Sequence, residues 1–189
     1  MPSVPISNLM LVEAQDATGE TDEIFAEIRQ MLDTLDPDVS YQIAALSPAT
    51  LASAWMLYRD FLARATLPQS LLFMIHYAIS SAKQNQYDSA RFKAACRSVS
   101  VEEAMLTALV SDLDSVKPER TREIIKFSLQ CATAPHSLIE ADYDRVREQG
   151  VTDEEMVEIM CCVGIAMYHN TFASAVKLGN PATQQFIED

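Results

Sequence analysis

Glycine is scarce in this chain, with 4 residues against 8 prolines among 189. This scarcity argues against a glycine-rich phosphate loop and against a fold built from many tight hairpins. No run of about 18 or more apolar residues occurs, so we expect no membrane span. Residues 1–16 lack a positively charged start followed by an apolar run, so we expect no secretory signal.

Basic residues are in the minority, since 14 lysines and arginines face 27 acidic residues and give a net charge of −13. A surface of this sign repels phosphate backbones, so we expect no nucleic-acid partner, although one small basic site is compatible with it. The four cysteines, Cys96, Cys131, Cys161 and Cys162, lack the spacing of a disulfide framework. We interpret them as free thiols of a cytoplasmic protein.

Helical signals cover most of the chain. Apolar residues within 24–35 recur every three or four positions, as on one face of a helix. The stretch 67–82 is apolar nearly all round, which predicts a buried central helix. No run of alternating β-branched residues is long enough for a strand. We therefore predict an all-α single domain of roughly eight helices at 19–189, preceded by an extended arm at 1–18.

Two short sequences have the form of a capping box, in which a hydroxyl residue precedes a helix and a glutamate follows three positions later. They are Ser100-Val101-Glu102-Glu103 and Thr152-Asp153-Glu154-Glu155. The helix after the second box is predicted to run to about Leu178, where Gly179-Asn180-Pro181 stops it. A short helix is expected at 88–97, with Asp88 as a candidate cap.

Three stretches combine short motifs with helical patterning over nearly the whole chain. They are 17–58, with Ala17-Thr18-Gly19-Glu20 and Leu46-Ser47-Pro48; 67–87, opened by Leu67-Pro68; and 149–179, which contains the second capping box. In combination they resemble the AhpD-like alkylhydroperoxidase and carboxymuconolactone decarboxylase family, in its longer, peroxidase-related branch. The resemblance implies an all-α fold and a homo-oligomer, whether a dimer, a trimer or a hexamer.

Redox members of that family carry a glutamate, then a Cys-x-x-Cys pair, then a histidine one turn later. A low-pKa thiolate attacks the peroxide, the second cysteine resolves it as a disulfide, and the glutamate and histidine move protons. Laid on residues 67–92 without a gap, the four positions of this motif hold Phe73, Asn85, Asp88 and Phe92. No cysteine precedes Cys96, so we expect a degenerate site without dithiol peroxidase chemistry.

Polar residues interrupt the otherwise apolar helix predicted at 67–82. His76, Ser80, Lys83 and Tyr87 are spaced four, three and four apart, so they form one stripe if the helix continues that far. Such a stripe faces solvent or a subunit interface in one interpretation. In the other it lines a cavity, with His76 as an acid or base near neutral pH and Lys83 as an anion-binding charge.

The segment 83–97 is locally basic, with Lys83, Arg91, Lys93 and Arg97 against Asp88 alone, a net charge of +3. It favours a site for a carboxylate or another small anion. The decarboxylase branch of the family, which handles a carboxylated lactone without a dithiol, points the same way. The alternative is that these basic residues pair with surface carboxylates.

No pattern in the chain indicates a metal or a cofactor, and we expect neither. Cys162 and His169 lie two helical turns apart on one face, with Ile165 and Ala166 between them. A zinc site needs more converging ligands than this pair supplies. We interpret the pair as core packing.

The residues leave three hypotheses open. The first is an enzyme that acts on a small anionic substrate without cysteine redox chemistry; His76 carries the proton, and Ser80, Lys83, Tyr87 and Arg91 bind the substrate. The second is a non-catalytic oligomeric protein that binds a ligand or a partner. The third is residual alkylhydroperoxidase activity, which the family name suggests and the missing thiol pair makes the weakest.

Overall fold

The computed structural model describes residues 7–179, and in this range the chain forms nine α-helices, three short 3-10 helices and no strand. The prediction of an all-α fold is confirmed. The α-helices are α1 Glu20–Leu32, α2 Val39–Ala44, α3 Pro48–Arg64, α4 Gln69–Ala82, α5 Gln86–Ser98, α6 Glu103–Ser111, α7 Glu119–Thr133, α8 Glu140–Glu148 and α9 Asp153–Ala175. The sequence patterns missed α2, a six-residue helix capped by the Asp38 side chain, which accepts a hydrogen bond from the Ser40 N–H.

The first of two compact units comprises residues 7–64 and 175–178 and contains α1, α2 and α3. Its core forms around Trp55 of α3, whose ring lies edge-on to Tyr41 of α2 at a centroid distance of 5.7 Å. The indole nitrogen donates a 2.8 Å hydrogen bond to Glu27 of α1. One aromatic side chain therefore joins the three helices, and its polar nitrogen is satisfied.

The second unit, residues 65–174 with 179, is built around α4. Every residue from Leu71 to Ser80 is buried, so the prediction of a central buried helix is confirmed. Helices α5, α6 and α7 pack against α4. Cys162 of α9 donates a 3.7 Å hydrogen bond to the Leu72 carbonyl oxygen. Polar side chains on α4 therefore lie inside the unit, where they need protein partners.

The predicted domain boundaries stay predictions. Residues 1–6 of the arm and residues 180–189, with the predicted stop at Asn180 and Pro181, lie outside the described residues. Helix α9 ends at Ala175, before the predicted end at Leu178. In the described part of the arm, Ala14–Asp16 form a 3-10 helix, and the Ser7 hydroxyl donates a 2.7 Å hydrogen bond to the Val176 carbonyl oxygen.

One of the two predicted capping boxes forms. The Glu155 N–H donates to Thr152 Oγ1 at 3.1 Å, and the Thr152 N–H donates to Glu155 Oε2 at 2.9 Å. The box at Ser100 is wrong: Ser100 has a φ of 63°, and α6 begins after Glu102 without a side-chain cap. The Glu103 carboxylate pairs instead with Arg97 and Lys93.

Within the described residues, α9 is the one helix long and apolar enough to cross a membrane. Half of its apolar stretch is buried against the rest of the chain, and core helices of soluble proteins meet the same criterion. The predictions of no membrane contact and of a cytoplasmic location stay predictions.

Candidate functional site

The connection between α4 and α5 positions the candidate site. Helix α4 ends at Ala82, Gln84 takes a φ of 57°, and Asn85 caps α5 by accepting a hydrogen bond from the Asp88 N–H. The predicted cap at Asp88 is therefore corrected to Asn85. The predicted stripe is also divided between two helices, because Tyr87 belongs to α5.

Four buried polar side chains meet at this connection, and we call them the amide cluster: Ser80, Asn85, Asp88 and Asn170. The Asn85 side-chain amide donates to Asp88 Oδ2 at 2.9 Å and to the Asn170 carbonyl oxygen at 3.3 Å. The Asn170 amide donates to Ser80 Oγ at 3.0 Å. All four side chains are buried. Positions 85 and 88, which are predicted to be two of the degenerate motif positions, are thus joined by a hydrogen bond.

Three rings stack beside the amide cluster. Phe92 of α5 lies against His76 of α4, with ring centroids 4.2 Å apart and an angle of 20° between the planes. His169 of α9 stacks on Phe92 at 5.9 Å and lies 5.7 Å from His76. The Phe73 ring is tilted by 47° to that of Phe92, with the centroids 6.5 Å apart. We call His76 and His169 the histidine pair.

Arg91 supplies the positive charge of this region. Its side chain is only 13% exposed, and Nη1 lies 3.9 Å from Oδ1 of Asp88, whose side chain is 1% exposed. The guanidinium carbon also lies 5.2 Å from the centre of the Phe92 ring, a cation–π distance. One α5 turn therefore combines a buried carboxylate, a largely buried guanidinium group and an aromatic face.

Burial and Arg91 keep both histidines neutral. Burial is the larger cause that lowers the pKa of His76 from 6.5 to about 3, and repulsion by Arg91 is the smaller. Burial, Arg91 and His76 together hold the pKa of His169 well below its usual value. In this state neither imidazole carries a charge near neutral pH.

The four cysteines are free thiols, as the sequence predicted. Burial raises the pKa of Cys96 to about 12 and that of Cys131 to about 11. Burial also raises the pKa of Cys161 and of Cys162. Because the thiolate is the reactive form, these four groups are weak nucleophiles at neutral pH.

The structure brings together most of the residues predicted as site residues. His76, Ser80, Asn85, Asp88, Arg91 and Phe92 converge, and Phe73 lies at their edge. Tyr87 is buried on α5. Lys83 is exposed after the last turn of α4 and does not converge with His76. Lys93 and Arg97 pair with Glu103, so for these two the alternative of surface carboxylate pairing is confirmed.

Sequence patterns missed His169 and Asn170 as members of the site. The available signal was the polar run from His169 to Thr171 within the mostly apolar stretch 159–176. No three His, Cys, Asp or Glu side chains among the described residues are grouped to hold a metal ion. The prediction that the protein uses no metal or cofactor stays a prediction.

No protein-family model matches this chain, and no curated protein matches it. Solved structures do. An alkylhydroperoxidase AhpD core, an uncharacterized peroxidase-related protein from Ralstonia eutropha JMP134, is 20% identical, with a TM-score of 0.83 and 94% of each chain covered. An uncharacterized peroxidase-related protein from Silicibacter sp. TM1040 is 22% identical, with a TM-score of 0.83 and coverage of 97% of this chain and 96% of that one.

The fold also occurs in a protein with a named activity. A cysteine-to-alanine variant of the debrominase Bmp8, in complex with 2,3,4-tribromopyrrole, is 19% identical, with a TM-score of 0.75 over 93% of this chain and 94% of that one. The resemblance to AhpD-like proteins is thus confirmed at the level of the fold.

Proposed function

We propose that this protein is an enzyme that acts on a small anionic substrate without cysteine redox chemistry, at Arg91 and the histidine pair. The observation that supports it is a guanidinium group, 13% exposed, whose charge reaches both imidazoles and lowers their pKa values. Guanidinium groups hold carboxylates through paired N–H donors. A neutral imidazole beside them can donate a hydrogen bond or accept a proton.

In this proposal the negative charge of the bound substrate raises the pKa of the proton carrier, His76. Repulsion from Arg91 is one of the two causes that lower the pKa of His76. An anion held by Arg91 offsets that repulsion and raises the pKa of His76, although burial continues to act. His76 is therefore neutral in the free protein and gains basicity when the substrate binds.

The other residues predicted to bind the substrate differ in whether their positions suit that role. Ser80 and Tyr87 are buried in the same unit as His76 and keep their proposed role. Lys83 is exposed, so we limit its role to attracting an anion from solution. The debrominase of the same fold binds a small ring compound, which supports a small molecule as the ligand of this chain.

A second candidate is a non-catalytic oligomeric protein that binds a ligand or a partner. The amide cluster favours it, because Asn85, Asp88, Ser80 and Asn170 bind one another as in a structural polar network. The separation of Lys83 from His76 favours it too. The homo-oligomer, whether dimer, trimer or hexamer, belongs to both candidates.

Residual peroxidase activity is the third and weakest candidate function, because all four thiols have a raised pKa.

The test follows the NMR chemical shifts of the histidine ring nitrogens against pH, with and without small carboxylates or their methyl esters. These shifts report the pKa of each imidazole. We expect a carboxylate to raise the pKa of His76, its uncharged ester to leave it unchanged, and Arg91→Lys, which keeps charge but loses the paired donors, to weaken binding. Arg97→Gln on the exposed end of α5 is the control. Equal effects of carboxylate and ester on the pKa of His76, or no binding of either compound, would favour the non-catalytic candidate. Mass spectrometry of the same mixtures detects any conversion of the added compounds.

A further inference from the structure

A cavity of about 540 Å³ lies in the second unit and shares no residue with the amide cluster or the histidine pair. Six of the nine described residues that line it are apolar, among them Ala78, Leu109 and Leu129, and the polar ones are Ser81, Ser111 and Asp112. This volume and this lining, apolar walls with a few polar groups, are typical of small-molecule sites.

The groups that line the cavity carry negative charge. Among the described lining residues Asp112 is the one charged side chain, and Lys83, which follows Ala82, is exposed outside the lining. The last residue of α4, Ala82, and the last residue of α6, Ser111, also line it. Helix C-termini carry partial negative charge on their carbonyl groups, so two helix ends and one carboxylate act in the same direction. The nearby Lys126 is paired with Asp114 at 2.7 Å.

We propose that this cavity binds a small organic cation, an amine or quaternary ammonium compound with a compact apolar body. The apolar body lies against the walls formed by Ala78, Leu109 and Leu129, and the charged nitrogen lies beside Asp112. The Ser111 hydroxyl donates to the Thr107 carbonyl oxygen at 2.8 Å, which leaves the lone pairs of its oxygen to accept a hydrogen bond from an amine N–H. This site does not depend on the function proposed at Arg91.

Three probes of the same shape separate charge from size: cyclohexylmethylammonium, cyclohexylmethanol and cyclohexanecarboxylate. Their affinities for the full chain are measured by NMR titration. We expect the ammonium compound to bind about tenfold more tightly than the alcohol, as charge-assisted hydrogen bonds do, and the carboxylate to bind least. Equal or tighter binding of the carboxylate, or no binding of the ammonium compound, would overturn the proposal.

Two variants locate the binding. Asp112→Asn keeps an oxygen for the Asp114 N–H and removes the charge, so it should weaken the ammonium compound about tenfold and leave the alcohol unchanged. Glu154→Gln, which removes one exposed carboxylate outside the lining, is the matched control and should change the affinity of neither compound. Ala82→Phe, at an exposed position, should fill the cavity and abolish binding of both the ammonium compound and the alcohol. The melting curve of this variant checks that it folds. If Ala82→Phe instead dissociates an oligomer, the cavity is an interface between copies and the proposal is wrong.

Discussion

Asn85 donates a 2.9 Å hydrogen bond from its side-chain amide to the carboxylate of Asp88, and accepts the Asp88 N–H at 3.0 Å in return. These residues hold the two positions at which the family resemblance places a thiol pair. The three-residue spacing at a helix start brings the side chains together, and here it serves a hydrogen bond. An amide and a carboxylate cannot exchange electrons as a dithiol does.

Replacing both members of this pair should restore a disulfide. In a background with the four native cysteines changed to alanine, we expect Asn85→Cys with Asp88→Cys to oxidise reversibly, because the side chains already meet and the start of a helix lowers the pKa of a thiol. Alkylation followed by mass spectrometry measures the thiol count. The positions predicted for the proton-transfer groups still hold Phe73 and Phe92, so peroxide turnover should stay low. Two permanently free thiols would contradict the register.

The histidine pair should make stability depend on pH. The pKa of His76 is about 3 in the folded protein, against the ordinary value of 6.5 that applies in the unfolded chain. Below about pH 6.5 the unfolded chain takes up a proton that the folded protein does not. The free energy of unfolding should therefore decrease as the pH falls from about 6.5 toward 3, by up to ~1.4 kcal/mol per pH unit for this one group.

Two variants separate this effect from general acid sensitivity. His76→Phe keeps a ring against Phe92 and removes the titrating group, so urea unfolding between about pH 6.5 and 4 should lose part of its pH dependence. His136→Gln, at an exposed position, should leave the dependence as it was. An unchanged slope in His76→Phe would mean that the imidazole titrates normally.

Asn170 should matter for stability out of proportion to its size. Its side chain donates to Ser80 Oγ at 3.0 Å and to the Ala166 carbonyl oxygen at 2.8 Å. Asn170→Ala removes both bonds from a buried site, and we expect a loss of about 2–3 kcal/mol in the free energy of unfolding. Gln86→Ala, at an exposed position on α5, should change it by less than about 0.5 kcal/mol. Similar small effects in both would show that the amide cluster does not hold α4 and α9 together.

The two predicted capping boxes should respond in opposite ways. Thr152→Ala removes a side-chain cap and should destabilise the protein by about 1 kcal/mol. Ser100 caps nothing and has a φ of 63°, which favours glycine, so Ser100→Gly should stabilise it slightly or leave it unchanged. Thermal unfolding of both variants provides the comparison, and a clear loss in Ser100→Gly would contradict the assigned backbone.

Sequence patterns predicted the features that depend on interactions between residues close together along the chain. Apolar periodicity located the central helix, and the short helix predicted at 88–97 corresponds to α5, although its cap is Asn85 and not Asp88. Ser100 shows the limit, because its motif fits a cap while Glu103 binds Arg97 and Lys93. His169 and Asn170 reach the site from α9, about 80 residues away along the chain, and only tertiary packing brings them there.

The most direct test of the account is peroxide consumption by the full chain with a dithiol reductant, compared with a variant in which Cys96, Cys131, Cys161 and Cys162 are all alanine. We expect no turnover above the uncatalysed rate in either protein, because the four thiols are free and have raised pKa values. Turnover by the native chain that disappears in the cysteine-free variant would contradict the central claim that this fold operates here without thiol redox chemistry.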